Sequence, residues 1–168
     1  MNWTSFYEKR VNTSYQDYFE ERYKDFLEFI LMQKERIIIE MGCGIGSVSK
    51  YLKKHDICCL GFDLSMEMVE LANKNLNSNA FYQDDIFTSK ANKNRLKVTH
   101  GVLEHFEDDK ILEICFLHPN SIHYVPLDKY ETPSFGDERL LPVEHWLNLV
   151  QPKEYFIFNN NYDLCFKV

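Results

Sequence analysis

Apolar and polar positions alternate between two periods along this chain, and the alternation predicts most of its elements. From Tyr15 to Met32 the apolar positions Tyr18, Phe19, Tyr23, Phe26, Leu27, Ile30 and Leu31 recur at spacings of three and four, which predicts one helix with a single buried face. A β-branched run, Arg36 to Glu40, predicts a strand; three glycines follow, then helical character over Val48 to Lys54. Ile57 to Phe62 predicts a second strand and Met66 to Asn75 a helix. Short strands are expected at Ala80 to Gln83 and Leu96 to Thr99, a helix over Asp108 to Phe116, and a strand over Ser121 to Val125. A proline near its first turn opens a helix over Pro142 to Val150. The chain ends in two β runs, Tyr155 to Phe158 and Tyr162 to Phe166, joined by Asn159-Asn160-Asn161, which reads as an antiparallel hairpin.

Strand–helix alternation of this kind predicts an α/β fold: a mostly parallel, seven-stranded sheet with helices on both faces and an antiparallel C-terminal hairpin. Ligands of such sheets bind beyond the carboxyl ends of the strands, so chemistry is expected in the loops there. The first loop, Glu40-Met41-Gly42-Cys43-Gly44-Ile45-Gly46-Ser47, joins a strand to a helix whose free N–H groups suit a carboxylate or phosphate. Its glycines allow a sharp bend and close approach to a ligand. A dinucleotide fingerprint, G-x-G-x-x-G, would need a third glycine at position 47, where this chain has Ser47. Glu40 just before the loop suits an ammonium ligand or a loop brace and opposes a pyrophosphate. Asp63 ends the second strand, where a carboxylate accepts the hydroxyls of a ribose or caps the next helix, a role open to Ser65 as well. Asp84-Asp85-Ile86 follows the third strand and offers a carboxylate to an adenine amino group, with one of the two acids turned inward. After the fourth strand, Thr99-His100-Gly101-Val102-Leu103-Glu104-His105-Phe106 brings two imidazoles and a carboxylate, candidates for proton transfer or for bracing the loop.

Composition narrows the partners. The 168 residues are 45% hydrophobic and 27% charged, an ordinary globular mixture of about one domain's length, with no Pro/Gly/Ser linker. A net charge of −7 argues against nucleic acid and anionic membranes as partners. Five cysteines without C-x-x-C spacing predict reduced, buried thiols and a cytoplasmic protein, and neither a signal peptide nor a membrane span is expected. Thirteen Phe and ten Tyr exceed the needs of so small a core, which suggests aromatic lining of a cavity or lid.

Four segments, IIIEMGCGIGSVSKYL, LGFDLSMEMVELANKN, FYQDDIF and HGVLEHF, together resemble the class I S-adenosylmethionine-dependent methyltransferases over about Ile37 to Phe106. The resemblance implies a Rossmann-like three-layer sandwich, S-adenosyl-L-methionine as cofactor, and methyl transfer to a small-molecule acceptor. It implies that Glu40, Gly42, Cys43, Gly44 and Gly46 surround the methionyl part, and that Asp63 takes the ribose hydroxyls with Leu64 and Met68 nearby. Asp85 and Ile86 would meet the adenine, and His100 and Gly101 the sulfonium. His100, His105 and His123 are the candidate bases. Relatives that hold a divalent metal in this region carry a further Glu in place of Gly101; with Glu104 and His105 alone, no metal is expected. Residues 1–33, bearing Trp3, Phe6, Tyr7, Tyr15 and Tyr18, are expected as a helical lid or cap, or as a helix packed permanently on the sheet, and 34–168 as the methyltransferase domain. Tyr7, Tyr18, Tyr130, Phe135 and Arg139 are the candidate acceptor-binding residues, Arg139 being equally open to an ion pair with Asp137 or Glu138. A monomer or homodimer is expected. A cofactor-binding but inactive relative with a regulatory role, and less readily an NAD-dependent oxidoreductase, are the alternatives.

Overall fold

A computed structural model describes Tyr7, Arg10, residues 12–134 and residues 136–168. Trp3, Phe6 and Phe135 lie outside the described residues. Seven strands are ordered β3-β2-β1-β4-β5-β7-β6, and the chain divides into two compact units, one ending at Ala91 and one beginning at Asn92.

In the first unit, helices α1 (Thr13–Arg22) and α2 (Lys24–Met32) precede β1 (Ile37–Met41), α3 (Ser47–Lys53), β2 (Cys58–Asp63), α4 (Met66–Leu76) and β3 (Phe81–Gln83). The expected single helix over Tyr15 to Met32 is two helices, because Tyr23 leaves helical geometry (φ −110°, ψ 23°). Its N–H still bonds Phe19 O at 3.0 Å while its carbonyl accepts from Leu27 N–H at 3.0 Å, so the bend loses little hydrogen bonding. The bend lets α2 bury Phe26, Leu27 and Ile30 completely, whereas α1 buries only Phe19 and Gln16. Gln16 donates to the carbonyl of Ser47 at 3.1 Å, which fixes α1 to the start of α3. Phe19 and Gln16 of α1 and Phe26, Leu27 and Ile30 of α2 are therefore the residues that pack into this unit. β1 and β2 are parallel, with Met41 opposite Phe62, and β2 and β3 are parallel, with Asp63 opposite Gln83. The carboxyl ends of all three strands thus lie along one edge.

In the second unit, β4 (Leu96–His100) leads to a short 3-10 turn (Leu103–His105), α5 (Asp108–Leu117), β5 (Ser121–Pro126), α6 (Val143–Val150), β6 (Glu154–Phe158) and β7 (Asp163–Lys167). β4 and β5 are parallel; β7 is antiparallel to both β5 and β6. β5 is buried at all six positions, the polar Ser121 and His123 included, as in a strand covered on both faces. The hairpin turn is tighter than a plain loop: Asn159, Asn160 and Asn161 all take positive φ (50°, 57° and 67°). Asparagine is among the few residues with a side chain that enter this region readily. The long connection after β5 is pinched at its base, where Leu127 bridges Leu141. No helix among the described residues is long and apolar enough to cross a membrane.

Candidate functional site

The glycine loop after β1 is built around three positive φ values, 65° at Gly42, 50° at Gly44 and 75° at Gly46. Two of these glycines serve different ends. A Cβ on Gly46 would stand 2.7 Å from Leu76 Cδ1, so its absence lets the loop close on α4. A Cβ on Gly44 would meet nothing within 4 Å. Its backbone therefore borders open space, and a bare backbone there leaves room for a ligand.

Asp63 ties this loop to the end of β2. Its Oδ2 accepts the Gly44 N–H at 2.9 Å and its Oδ1 accepts the Ser65 N–H at 2.9 Å. Each oxygen keeps a second lone pair for a further donor. Burial raises this carboxyl above its ordinary value, opposed by the N–H bonds from Ser65, Gly44 and Leu64. Helix capping falls to Ser65, whose Oγ accepts the Met68 N–H at 3.4 Å. Ser65 thus caps α4, while Asp63 holds the glycine loop through Gly44. Next to it, Leu64 is exposed and Met68 is buried in the core. The β3 loop joins the same edge through Asp84 N–H, which donates to the carbonyl of Asp63 at 3.1 Å. Asp84 Oδ1 accepts the Asp85 N–H and Asp85 Oδ1 accepts the Phe87 N–H, both at 2.9 Å. Ile86 beside them is 9% exposed.

Glu40 turns inward as a brace. It is 4% exposed, and its Oε2 accepts both the backbone N–H of Ser49, at 3.0 Å, and the Ser49 hydroxyl. Burial pushes its carboxyl up to about 7 despite these bonds. Cys43, also buried, has its thiol pushed up by burial first and by Glu40 next, so it is an inert packing group. Tyr7 is half-buried; burial raises its phenol first, the phenols of Tyr15 and Tyr23 follow, and the charge of Asp63 adds a smaller rise. Tyr18, by contrast, is exposed.

In the second unit His100 ends β4 and stacks on Tyr124, ring centroids 4.3 Å apart and 10° from parallel. Gly101 follows at φ 68°. The hydroxyls of Tyr124 and Tyr130 both donate to Oδ1 of Asp163, at 2.9 and 3.0 Å, and Asn159 Nδ2 donates to Oδ2 at 2.6 Å. Asp163 is fully buried and ties these three side chains together, although in the sequence it is only the second residue of an expected strand. His123 is enclosed: Thr99 Oγ1 and Ser121 Oγ each lie 2.7 Å from one of its ring nitrogens. Burial pushes it down to about 3, so it is a neutral core histidine at physiological pH and no base.

The Leu127–Leu141 connection bears on the 3-10 turn. His105 Nδ1 lies 2.9 Å from Asp137 Oδ1. Arg139 does not pair with Asp137 or Glu138. Its guanidinium reaches Asp108 at 2.8 Å, Glu107 at 3.6 Å and the carbonyl of Phe106 at 2.5 Å. The separations of about thirty residues behind these pairs hide them from local sequence patterns. Glu138 instead accepts the Ser134 N–H at 2.8 Å and its hydroxyl at 2.7 Å. Glu104 is 2% exposed, its Oε2 has no hydrogen-bond partner among the described residues, and burial holds its carboxyl well above the usual range, with Glu138 adding to the rise.

An open glycine cradle, an acid at the end of β2 and another after β3, on a sheet of this order, define a Rossmann-like cofactor-binding domain. Residues 38–116 match the family model described as a methyltransferase domain. This segment, just under half of the chain, is similar to a methyltransferase domain, in keeping with the resemblance of its motifs to the class I S-adenosylmethionine-dependent methyltransferases. Among solved structures, the fold is similar to that of the PH0226 protein from Pyrococcus horikoshii, at 17% identity and TM-score 0.74, covering 97% of each chain. It is similar also to magnesium protoporphyrin IX methyltransferase from Synechocystis with bound S-adenosylhomocysteine, at 13% identity and TM-score 0.69, covering 88% of this chain and 81% of that one. A TehB-like methyltransferase from Corynebacterium glutamicum aligns at 16% identity and TM-score 0.62 over 92% of this chain and 98% of its own. No curated protein matches the chain.

Proposed function

We propose that the protein moves the methyl group of S-adenosylmethionine to a small-molecule acceptor, and that the first unit supplies the cofactor site. The observation that carries the reading is the Gly44–Asp63 bond beside open space. It holds a bare backbone and a carboxylate with spare acceptor capacity side by side. Asp63 takes the ribose hydroxyls; Asp85, with one oxygen bound to the Phe87 N–H, offers the other to the adenine amino group, while Ile86 and the exposed Leu64 supply apolar surface. Gly42, Cys43, Gly44 and Gly46 follow the methionyl part with backbone alone. Glu40 supports them from below, by holding α3 in place through Ser49. The same bond disfavours a dinucleotide: the Ser49 N–H is one of the donors a pyrophosphate would seek at the start of that helix, and it already serves a carboxylate.

S-adenosylmethionine supplies an activated methyl group, so the chain has mainly to align the acceptor and exclude water. His100, held flat against Tyr124, is the imidazole we assign to an acceptor that must lose a proton, with His105 as its alternative. Gly101 beside it presents backbone without a side chain. Tyr130, fixed through Asp163, is the acceptor-side residue kept in this reading; Tyr18 is exposed, Arg139 is turned to Asp108 and Glu107, and Phe135 lies outside the described residues. The lid or cap expected over residues 1–33 is supported, among the described residues, by Tyr7, which lies near enough to Asp63 for that charge to act on its phenol. The five free cysteines fit a reducing cytoplasm, the net charge of −7 disfavours nucleic acid, and the chain works as a monomer or homodimer. Thermal-shift titration with S-adenosylmethionine, S-adenosylhomocysteine and NAD tests the cofactor assignment. Stabilisation by both sulfur ligands is expected, and stabilisation by NAD alone refutes it.

A further inference from the structure

The 3-10 turn after β4 and the connection after β5 bring two acids together in the second unit, next to the residues assigned to the acceptor. Glu104, His105 and Glu138 each offer one polar atom, and these atoms all lie within 4.8 Å of one another. Glu104 is 2% exposed, and its Oε2 has no hydrogen-bond partner among the described residues. A buried polar atom left without a partner is costly, and natural structures seldom retain one that no bound group satisfies. The Arg139 guanidinium is turned away, to Asp108 and Glu107, so it does not neutralise the acids.

From this convergence we infer that the methyl acceptor is a small amine, whose ammonium group is held between Glu104 and Glu138. The inference rests on the methyl-transfer reading and names the acceptor class for it.

Spacing and charge both favour an ammonium. Acceptors about 2.8 Å from one tetrahedral nitrogen stand about 4.6 Å apart, a separation within the spread of this cluster. Glu138 is already oriented, by the Ser134 N–H on Oε2 and the Ser134 hydroxyl on Oε1, and each oxygen keeps a second lone pair for a further donor. Asp137 steadies His105, 2.9 Å from its Nδ1. The Arg139 N–H ties the connection to the Glu104 carbonyl at 2.8 Å. Glu104 also underlies the acceptor side, since a Cβ on Gly101 would stand 3.4 Å from its Oε1. Burial and the neighbouring Glu138 both disfavour an ionised Glu104, and a bound ammonium supplies the positive charge that offsets them. An alcohol brings no such charge, and an anion is repelled by both acids.

The test uses NMR titration in buffer containing a metal chelator. The protein is first saturated with S-adenosylhomocysteine, then titrated with ethylamine, putrescine and phenethylamine, each compared with its alcohol counterpart (ethanol, 1,4-butanediol and 2-phenylethanol). At least one amine should fill a single site at least tenfold more tightly than its alcohol. Glu138→Gln should weaken that amine at least tenfold and leave S-adenosylhomocysteine binding as it was. Glu113→Gln, which removes an exposed acid of α5 paired with Lys110, should leave the amine affinity unchanged. Glu138→Gln lies on a partly exposed connection and keeps an acceptor for Ser134, so it stays folded if the buried Glu104→Gln does not. The first titration separates the two readings: no binding of S-adenosylhomocysteine refutes methyl transfer and this inference with it. Binding of S-adenosylhomocysteine with no amine preferred over its alcohol, or with equal amine affinity in Glu138→Gln, overturns the acceptor class alone.

Discussion

Replacing Gly44 and Gly46 by alanine, one at a time, separates a glycine kept for a ligand from one kept for packing. Both have positive φ, so each alanine carries roughly 1–2 kcal/mol of backbone strain. At Gly44 nothing is added, since the new methyl meets no atom within 4 Å. For a chain of this size that strain lowers Tm by roughly 2–8 °C. At Gly46 the methyl stands 2.7 Å from Leu76 Cδ1 and 3.5 Å from Ala72 Cβ. Overpacking adds about 1–3 kcal/mol, for a total of about 2–5 kcal/mol. Cofactor affinity should follow the opposite order: Gly44→Ala fills the cradle and weakens S-adenosylhomocysteine at least tenfold, while Gly46→Ala loses binding only in proportion to unfolding. Urea denaturation paired with calorimetry at a temperature where both variants are folded reads both quantities. Equal stability losses, or undiminished affinity in Gly44→Ala, would refute the division of roles.

Three further outcomes follow from buried groups. Glu40 has a carboxyl raised from 4.5 to about 7; the stability it contributes is complete below about pH 4.5 and is lost as pH rises through about 7. Over that window it amounts to about 3 kcal/mol, so Glu40→Gln should flatten the fall in urea-derived stability from pH 4.5 to 8, and an unchanged slope would show the carboxyl to be ionised throughout. Asp163→Ala removes the acceptor of Tyr124, Tyr130 and Asn159 and should cost about 3 kcal/mol or more; a loss under 1 kcal/mol in chemical denaturation would show that the two tyrosines do not depend on it. His123, held down to about 3, should show ring resonances that do not move between pH 5 and 8 in NMR, and a midpoint near 6.5 would contradict its enclosure.

How much of this was legible beforehand depends on the range of each interaction. The glycine loop, Asp63 and Asp85 announce themselves because an apolar run ending in Gly or Asp marks a strand's carboxyl end, and the fold gathers those ends. The strand succession and the hairpin were readable for the same reason. The break at Tyr23 was hidden, since the three-and-four spacing of apolar residues continues through it while the buried face changes. Glu40 was readable as an acid before the loop, yet its partner Ser49 lies nine residues on, around the turn. Asp163 and Asp137 gave no such signal: the tyrosines and the histidine they meet lie more than thirty residues away and are brought close only by tertiary packing. Arg139 misled for the same reason, its neighbours in sequence being less attractive than Asp108 thirty-one residues earlier.

The most direct measurement is calorimetric titration of the protein and of Asp63→Ala with S-adenosylhomocysteine, with NAD as the control. One site per chain is expected in the natural sequence. In Asp63→Ala, which loses the ribose acceptor and the Gly44 tether together, affinity should fall at least a hundredfold, with no heat from NAD in either protein. Absence of S-adenosylhomocysteine binding in the folded natural chain, or equal affinity in Asp63→Ala, would contradict the account.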